Sequence, residues 1–158
     1  MNSSALWGGV MNIPIDKNKS WMAGVYEGIE QLDPNVKAAI MKPAGKACAA
    51  DILSLCEKYL GKRINTVEEL VAGWNIFRER RKLTGRWESH GNTIRGKFSE
   101  CGCPLIRSGL IELHPVQCYC SQSMIETVYS QVSRKTVAVE IKRSIGRGDD
   151  LCEFLITL

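Results

Sequence analysis

Two short segments of the chain carry cysteines in pairs at one-residue spacing: Cys101-Gly102-Cys103-Pro104 and Cys118-Tyr119-Cys120-Ser121. In an extended strand, residues two apart point the same way with Cα atoms roughly 6.5–7 Å apart, so both sulfurs of a pair could incline toward one point. Gly102 lets the first pair tighten further. Four thiolates at about 2.3 Å would close a tetrahedral site around Zn²⁺, with Cys101, Cys103, Cys118 and Cys120 as ligands. Replacing one of them by His114 gives three thiolates and an imidazole. Iron–sulfur ligation draws on the same soft donors and is the lesser expectation. Structural zinc sites usually place two residues between paired ligands, so this spacing is a less specific signal.

Without a metal, close thiols could be redox-active, and one lowered in pKa by Arg95, Lys97 or Arg107 could act as a nucleophile. Cys120 stands just ahead of an expected helix, whose free N–H groups would favour a thiolate. Buried, reduced and inert packing is the remaining alternative. His114 and His90 are the only histidines. His114 lies in the spacer between the cysteine pairs, within reach as ligand or base, whereas His90 belongs to a turn. Glu88 is a candidate proton-transfer group, Trp87 a candidate pocket rim, and Arg95 and Arg107 could steady a substrate carboxylate. Cys48, Cys56 and Cys152 stand in apolar surroundings and read as small core residues.

These groups must be positioned by elements whose ends the sequence marks. Ser20 is read as the cap of a short helix whose stripe of Trp21, Val25, Ile29 and Leu32 should face inward, with residues 1–19 an irregular arm that Trp7 could pin. Asp33-Pro34 is an N-cap with proline at the first helical position. Pro43 and Gly45 are expected to break or kink the helix that follows before it resumes to Leu60, where Gly61 ends it. Thr66 and Glu69 form a capping box, ahead of a stripe of Leu70, Trp74 and Phe77. The basic run Arg78, Arg80, Arg81 and Lys82 reads as a solvated helix end that complements the dipole.

From Gly85 the pattern turns to strands, Arg86 to Ser89 and Asn92 to Phe98, joined by a turn at His90-Gly91-Asn92. Ser121 to Val132 has helical spacing. Thr136 to Ile145 alternates, and Leu151 to Leu158 completes a terminal hairpin around Gly146 to Asp150. That turn lacks the Lys and Ser or Thr of a phosphate loop.

With 158 residues and 44% apolar content, one domain spanning 1–158 can bury its own core. The 21 basic and 17 acidic residues leave a charge of +4, intermixed along the chain, which carries no specific nucleic-acid signal. No apolar run is long enough for a membrane span, and MNSSALWGG lacks an export signal, so a cytoplasmic location is expected. The odd cysteine count argues against a disulfide framework.

The C-terminal half resembles the 4-vinyl-reductase-like small-molecule-binding domains and the L-2-amino-thiazoline-4-carboxylic acid hydrolase-like proteins. The resemblance lies in Cys101-x-Cys103-Pro104, Cys118-x-Cys120-Ser121 before a helix, and the terminal hairpin SIGRGDDLCEFLITL. It implies an α+β ligand-binding domain with cysteine-bearing turns near a pocket, and marks Cys101, Cys103, Cys118, Cys120 and Cys152.

The combined expectation is an α+β fold, with N-terminal helices packed on an antiparallel sheet formed mainly by the C-terminal half. Its leading function is small-molecule binding at a cysteine-rich, zinc-binding site with hydrolase activity. There a metal-bound water would attack the substrate while Glu88 or His114 moves a proton. The alternative is a non-enzymatic ligand sensor, or a protein-interaction domain with structural cysteines. Assembly into a homo-oligomer is left open.

Overall fold

Capping chemistry places most element ends in the computed structural model, which describes residues 15–158. The Asp33 carboxylate accepts the Asn35 N–H at 2.8 Å, and Pro34 opens α2 (Pro34–Leu60), which stops at Gly61 in the left-handed region. Thr66 and Glu69 exchange both capping-box hydrogen bonds at the start of α3 (Val67–Arg80). Glycine at 91, with positive φ, turns β1 (Arg86–His90) into β2 (Thr93–Phe98). A short α4 (Pro104–Arg107) and the long α5 (Gln117–Ser133) precede β3 (Ala138–Arg143), a single 3₁₀ turn at Ile145–Arg147, and β4 (Cys152–Thr157).

The sheet runs β1-β2-β4-β3 with every neighbouring pair antiparallel. The terminal strand therefore sits inside the sheet. Its period-two pattern buries Phe154 and Ile156 on the face covered by helices. Helices α3 and α5 lie on the sheet and α2 packs on both, so the expected α+β arrangement is the one observed. Leu70, Trp74 and Phe77 of α3 meet Trp87 and Ile94 from the sheet and Val128 and Tyr129 from α5 in one core. Gly96 makes this possible on β2, because a Cβ there would lie 2.5 Å from the Trp87 ring. Asn75 fastens α3 to the edge strand, exchanging hydrogen bonds of 2.8 and 2.9 Å with the Trp87 main chain.

Three local expectations give way to packing. The first helix, α1 (Ile15–Glu30), starts before Ser20 and takes in residues 15–19, while residues 1–14, with Trp7, lie outside the described residues. Of the expected stripe only Ile29 faces inward: Trp21 is 67% exposed, Val25 and Leu32 are exposed too, and Met22 and Tyr26 join Ile29 on Met41 and Val116 instead. Helix α2 runs unbroken through Pro43. Its long packing against α5 outweighs the missing N–H, and the Lys42 carbonyl next to Pro43 accepts the Ser123 hydroxyl at 3.2 Å. Arg78, read as a solvated cation, is buried: its guanidinium lies 3.9 Å from the Phe98 ring centroid and 3.2 Å from Glu100. Burial brings its pKa down to about 10. Among the described residues no helix is long and apolar enough to cross a membrane.

Candidate functional site

Where α2, α5 and the chain around α4 meet the β3–β4 end of the sheet, they leave a cavity of about 120 Å³. Helix α2 contributes Met41, Ala44 and Cys48, and α5 contributes Gln117, Cys118 and Cys120. The two helices come within backbone contact here because Gly45 has no side chain: a Cβ would stand 2.4 Å from the Cys120 carbonyl oxygen. Cys101, Cys103 and Ile106 close a second side, and Ile141, Ser144, Cys152 and Phe154 a third. Leu105 and Leu113 wall the cavity and also reach solvent, so the α4 segment forms its outer edge. No Asp, Glu, Lys, Arg or His is among the lining residues.

Every cysteine except Cys56 therefore borders one space. They do not converge on one point, and the zinc and iron–sulfur expectations are overturned: among the described residues no group of three or more His, Cys, Asp or Glu could hold a metal ion. The physical reason is a change of period. Cys118 and Cys120 belong to the first turns of α5, not to an extended strand. Residues two apart on a helix diverge by roughly 200°. Cys118 thus reaches the sheet side, where its Sγ is 2.8 Å from the buried Ser144 hydroxyl, while Cys120 turns toward Cys48 on α2. Cys103 caps α4 through its backbone and makes no side-chain capping bond, and Cys101 stands on the loop before it. The zinc-dependent hydrolase, which required a metal-bound water, falls with the metal centre.

The thiols are also electrostatically quiet. Burial pushes Cys120 up to about 12 and raises Cys48, Cys101 and Cys152, with the neighbouring sulfurs adding to the shift in each case. At neutral pH these four carry their protons and are poor nucleophiles.

The other sequence candidates scatter. Glu88 is exposed on the edge strand, 3.8 Å from His90. Arg95 projects from β2 to Glu153 at 3.3 Å, and Arg107 is exposed at the end of α4. Trp87 is 2% exposed and packs among Trp74, Phe98 and Tyr129, in the core and not at the cavity. His114 packs its ring 5.7 Å from that of Tyr26, and its Nδ1 accepts the Val116 N–H at 3.3 Å. It lies beside the cavity without lining it.

Sequence reasoning missed Tyr26, Ser144 and Gln117. A signal for Gln117 was present: Pro115 suits a helix start, and the main-chain N–H groups of Gln117 and Cys118 already bond to His114 and Pro115. Starting the helix there moves both cysteines of the second pair, and Gln117, onto α5.

No family model matches this chain, and no curated protein matches it in sequence. Its fold does recur among solved structures. The phenol-responsive sensory domain of the transcription activator PoxR, determined with phenol, is 13% identical with a TM-score of 0.53, covering 89% of this chain and 73% of its own. A trafficking protein particle complex subunit 3 from Naegleria fowleri, covalently bound to palmitic acid, is 12% identical with a TM-score of 0.54, covering 91% and 93%. At these identities the likeness is one of fold. A vinyl-4-reductase family protein from Methanocaldococcus jannaschii is 12% identical with a TM-score of 0.42, covering 92% and 82%. The likeness read from the cysteine motifs thus reappears only as a distant neighbour in fold, and membership of that family is not shown.

Proposed function

We propose that this chain is a small-molecule sensor module whose cavity takes up one compact, uncharged, mainly apolar ligand. The observation that carries this reading is the lining: a space of about 120 Å³ bordered by aliphatic side chains, aromatic rings and cysteine sulfurs, with no Asp, Glu, Lys, Arg or His. An apolar cavity of roughly 150 Å³ takes up benzene, so a single ring is the right scale. A buried carboxylate or ammonium would meet no counter-ion, and its desolvation would go unrepaid. The phenol bound by the PoxR sensory domain, which shares the fold, supports a ligand of this size. A sixteen-carbon acyl chain such as the one on the trafficking subunit is too large for this volume. A ligand here would touch α2, α5, the α4 segment and β4 together, and so couple elements distant in sequence.

Calorimetric titration with phenol tests the proposal, with benzoate as a charged counterpart. At typical ligand efficiencies a seven-heavy-atom ligand should bind phenol-like with Kd on the order of 0.1–1 mM. A hundredfold excess over Kd then raises stability by about 2.7 kcal/mol. Benzoate should not bind. Equal binding of benzoate, or no response to any uncharged ring, would overturn the reading.

A further inference from the structure

We infer that residues 103–113, which carry α4, are the gate through which ligand enters and leaves the cavity, with Asn18 of α1 as its latch. The inference rests on the sensor reading above and adds the route to the site.

The other walls are fixed. At Gly45 the backbones of α2 and α5 lie too close to admit even a Cβ, and the β3–β4 side is hydrogen-bonded sheet. Among the lining residues the exposed ones are Ala44 on α2 and Leu105 and Leu113 of the segment. The cavity therefore meets solvent along the line between α2 and residues 103–113.

That segment is tied at both ends and loose between them. Ahead of it, the Glu100 carboxylate accepts the Thr84 N–H at 2.7 Å and lies 3.2 Å from the buried Arg78 guanidinium. Behind it, the His114 N–H donates to Gln117 Oε1 at 2.8 Å, and the His114 ring packs 5.7 Å from that of Tyr26. In between, the main-chain N–H groups of Arg107 to Ile111 donate to carbonyls of residues 103–106. The turn thus keeps its shape with its own hydrogen bonds, as a compact loop that moves as a unit does. Ile111 is its only buried side chain, while Leu105, Leu110 and Leu113 are exposed. Among the described residues, one hydrogen bond fastens it to another helix or strand: Asn18 Nδ2 donates to the Leu110 carbonyl at 2.7 Å.

A segment with so little buried apolar surface opens at far lower cost than the core unfolds. Opening of such a lid sets the rate of ligand exchange. The Asn18 bond belongs to the closed form whether the cavity is filled or empty, so its loss should change rates and leave affinity alone.

Exchange of 4-fluorophenol, followed by ¹⁹F line shapes, reads those rates. Asn18→Ala should raise the association and dissociation rates together by about fivefold, the scale of one hydrogen bond, with Kd unchanged. Ser20→Ala removes a hydroxyl bonded within α1 to the Asp16 carbonyl and should leave both rates as they are. On the unaltered protein, the Arg107 to Ile111 amides should exchange with solvent before those of Val128 and Tyr129, and 4-fluorophenol should slow them. That readout needs no variant. If 4-fluorophenol binds but Asn18→Ala leaves its rates unchanged or alters only Kd, or if the ligand gives those amides no protection, the gate assignment is wrong while the cavity reading stands. If 4-fluorophenol does not bind, the sensor reading fails and the gate with it.

Discussion

Replacing Gly45 by alanine tests the helix contact that forms the cavity floor. The added Cβ would sit 2.4 Å from the Cys120 carbonyl oxygen, 2.8 Å from Ser123 Cβ and 2.9 Å from the Met124 nitrogen. Two of these three neighbours are backbone atoms of α5, and the third is bonded directly to it, so no rotamer change relieves them. The helices must separate. Overpacking of this kind costs about 1–3 kcal/mol, while exchanging glycine for alanine inside a helix returns about 1 kcal/mol. The sheer depth of the overlap puts this site at the upper end, for a net loss of about 2 kcal/mol. Gly24 and Gly28 on α1 supply the control, since a Cβ at either meets nothing within 4 Å. Alanine there should stabilise by about 0.5–1 kcal/mol. Urea unfolding under reducing conditions, followed by tryptophan fluorescence, reads all three through the midpoint at constant slope. Because Ala44, Cys48 and Cys120 flank the contact, Gly45→Ala should also weaken phenol binding. A Gly45→Ala protein as stable as the wild type, with intact ligand binding, would refute the close approach of α2 and α5 and the cavity geometry built on it.

Other perturbations check separate parts of the structure. Burial pushes the Cys56 thiol up to about 12 from an ordinary value near 9, so the folded state keeps a proton that the unfolded chain releases. Stability is therefore fully present below pH 9 and falls as pH rises toward 12, by about 1.4 kcal/mol per pH unit from Cys56 alone. Cys120 adds a smaller, solvent-screened share in the same window, and urea unfolding at pH 8 and pH 10, repeated on Cys56→Ala, should show the fall and its reduction. Thr66→Ala removes the capping box of α3 and should cost about 1 kcal/mol in the same assay. A strong chelator should leave the thermal midpoint of reduced protein unchanged, whereas chelator-induced unfolding would restore a structural metal. Iodoacetamide should modify native Cys120 far more slowly at pH 7 than the same residue in urea, as peptide mapping would register, and bound ligand should slow it further.

The fold was most legible where a local device and a periodicity agreed. Asp33-Pro34, the Thr66–Glu69 box and the alternation through Val137, Val139 and Ile141 each specify an element without tertiary help, and each is in place. Legibility failed where a neighbour decided the outcome. Pro43 is a breaker on any local scale, but α2 is held along its length by α5, and the close approach at Gly45 lies two residues on. On α1 two candidate stripes overlap, and only the position of Met41 and Val116 selects the face bearing Met22, Tyr26 and Ile29 over the one bearing Trp21. Arg78 could not be separated from its basic neighbours in sequence, because its partners Phe98 and Glu100 lie about twenty residues away, at the end of β2 and just beyond it.

The candidate site failed for a sharper reason. All four paired cysteines border the cavity, together with Cys48 and Cys152. What the sequence cannot supply is direction, and one shift in element boundary reversed the inference. On a strand, Cys118 and Cys120 would share a face and act jointly. On α5 they divide between Ser144 on one side and Cys48 on the other. The chemistry then follows from the environment more than from the residue type. A metal centre needs thiolates, and a thiolate needs nearby positive charge or a cation to offset its desolvation. This cavity holds no basic side chain, and burial holds Cys48, Cys101, Cys120 and Cys152 protonated. Protonated cysteines are small, polarisable and nearly apolar, suited to surround an uncharged ring. Placing a permanent cation among them should therefore act against the site: Ile106→Lys, at a lining position on α4, should lower the pKa values of Cys101 and Cys120 and abolish phenol binding together. Retained phenol affinity in a folded Ile106→Lys protein would show that the uncharged lining does not select the ligand.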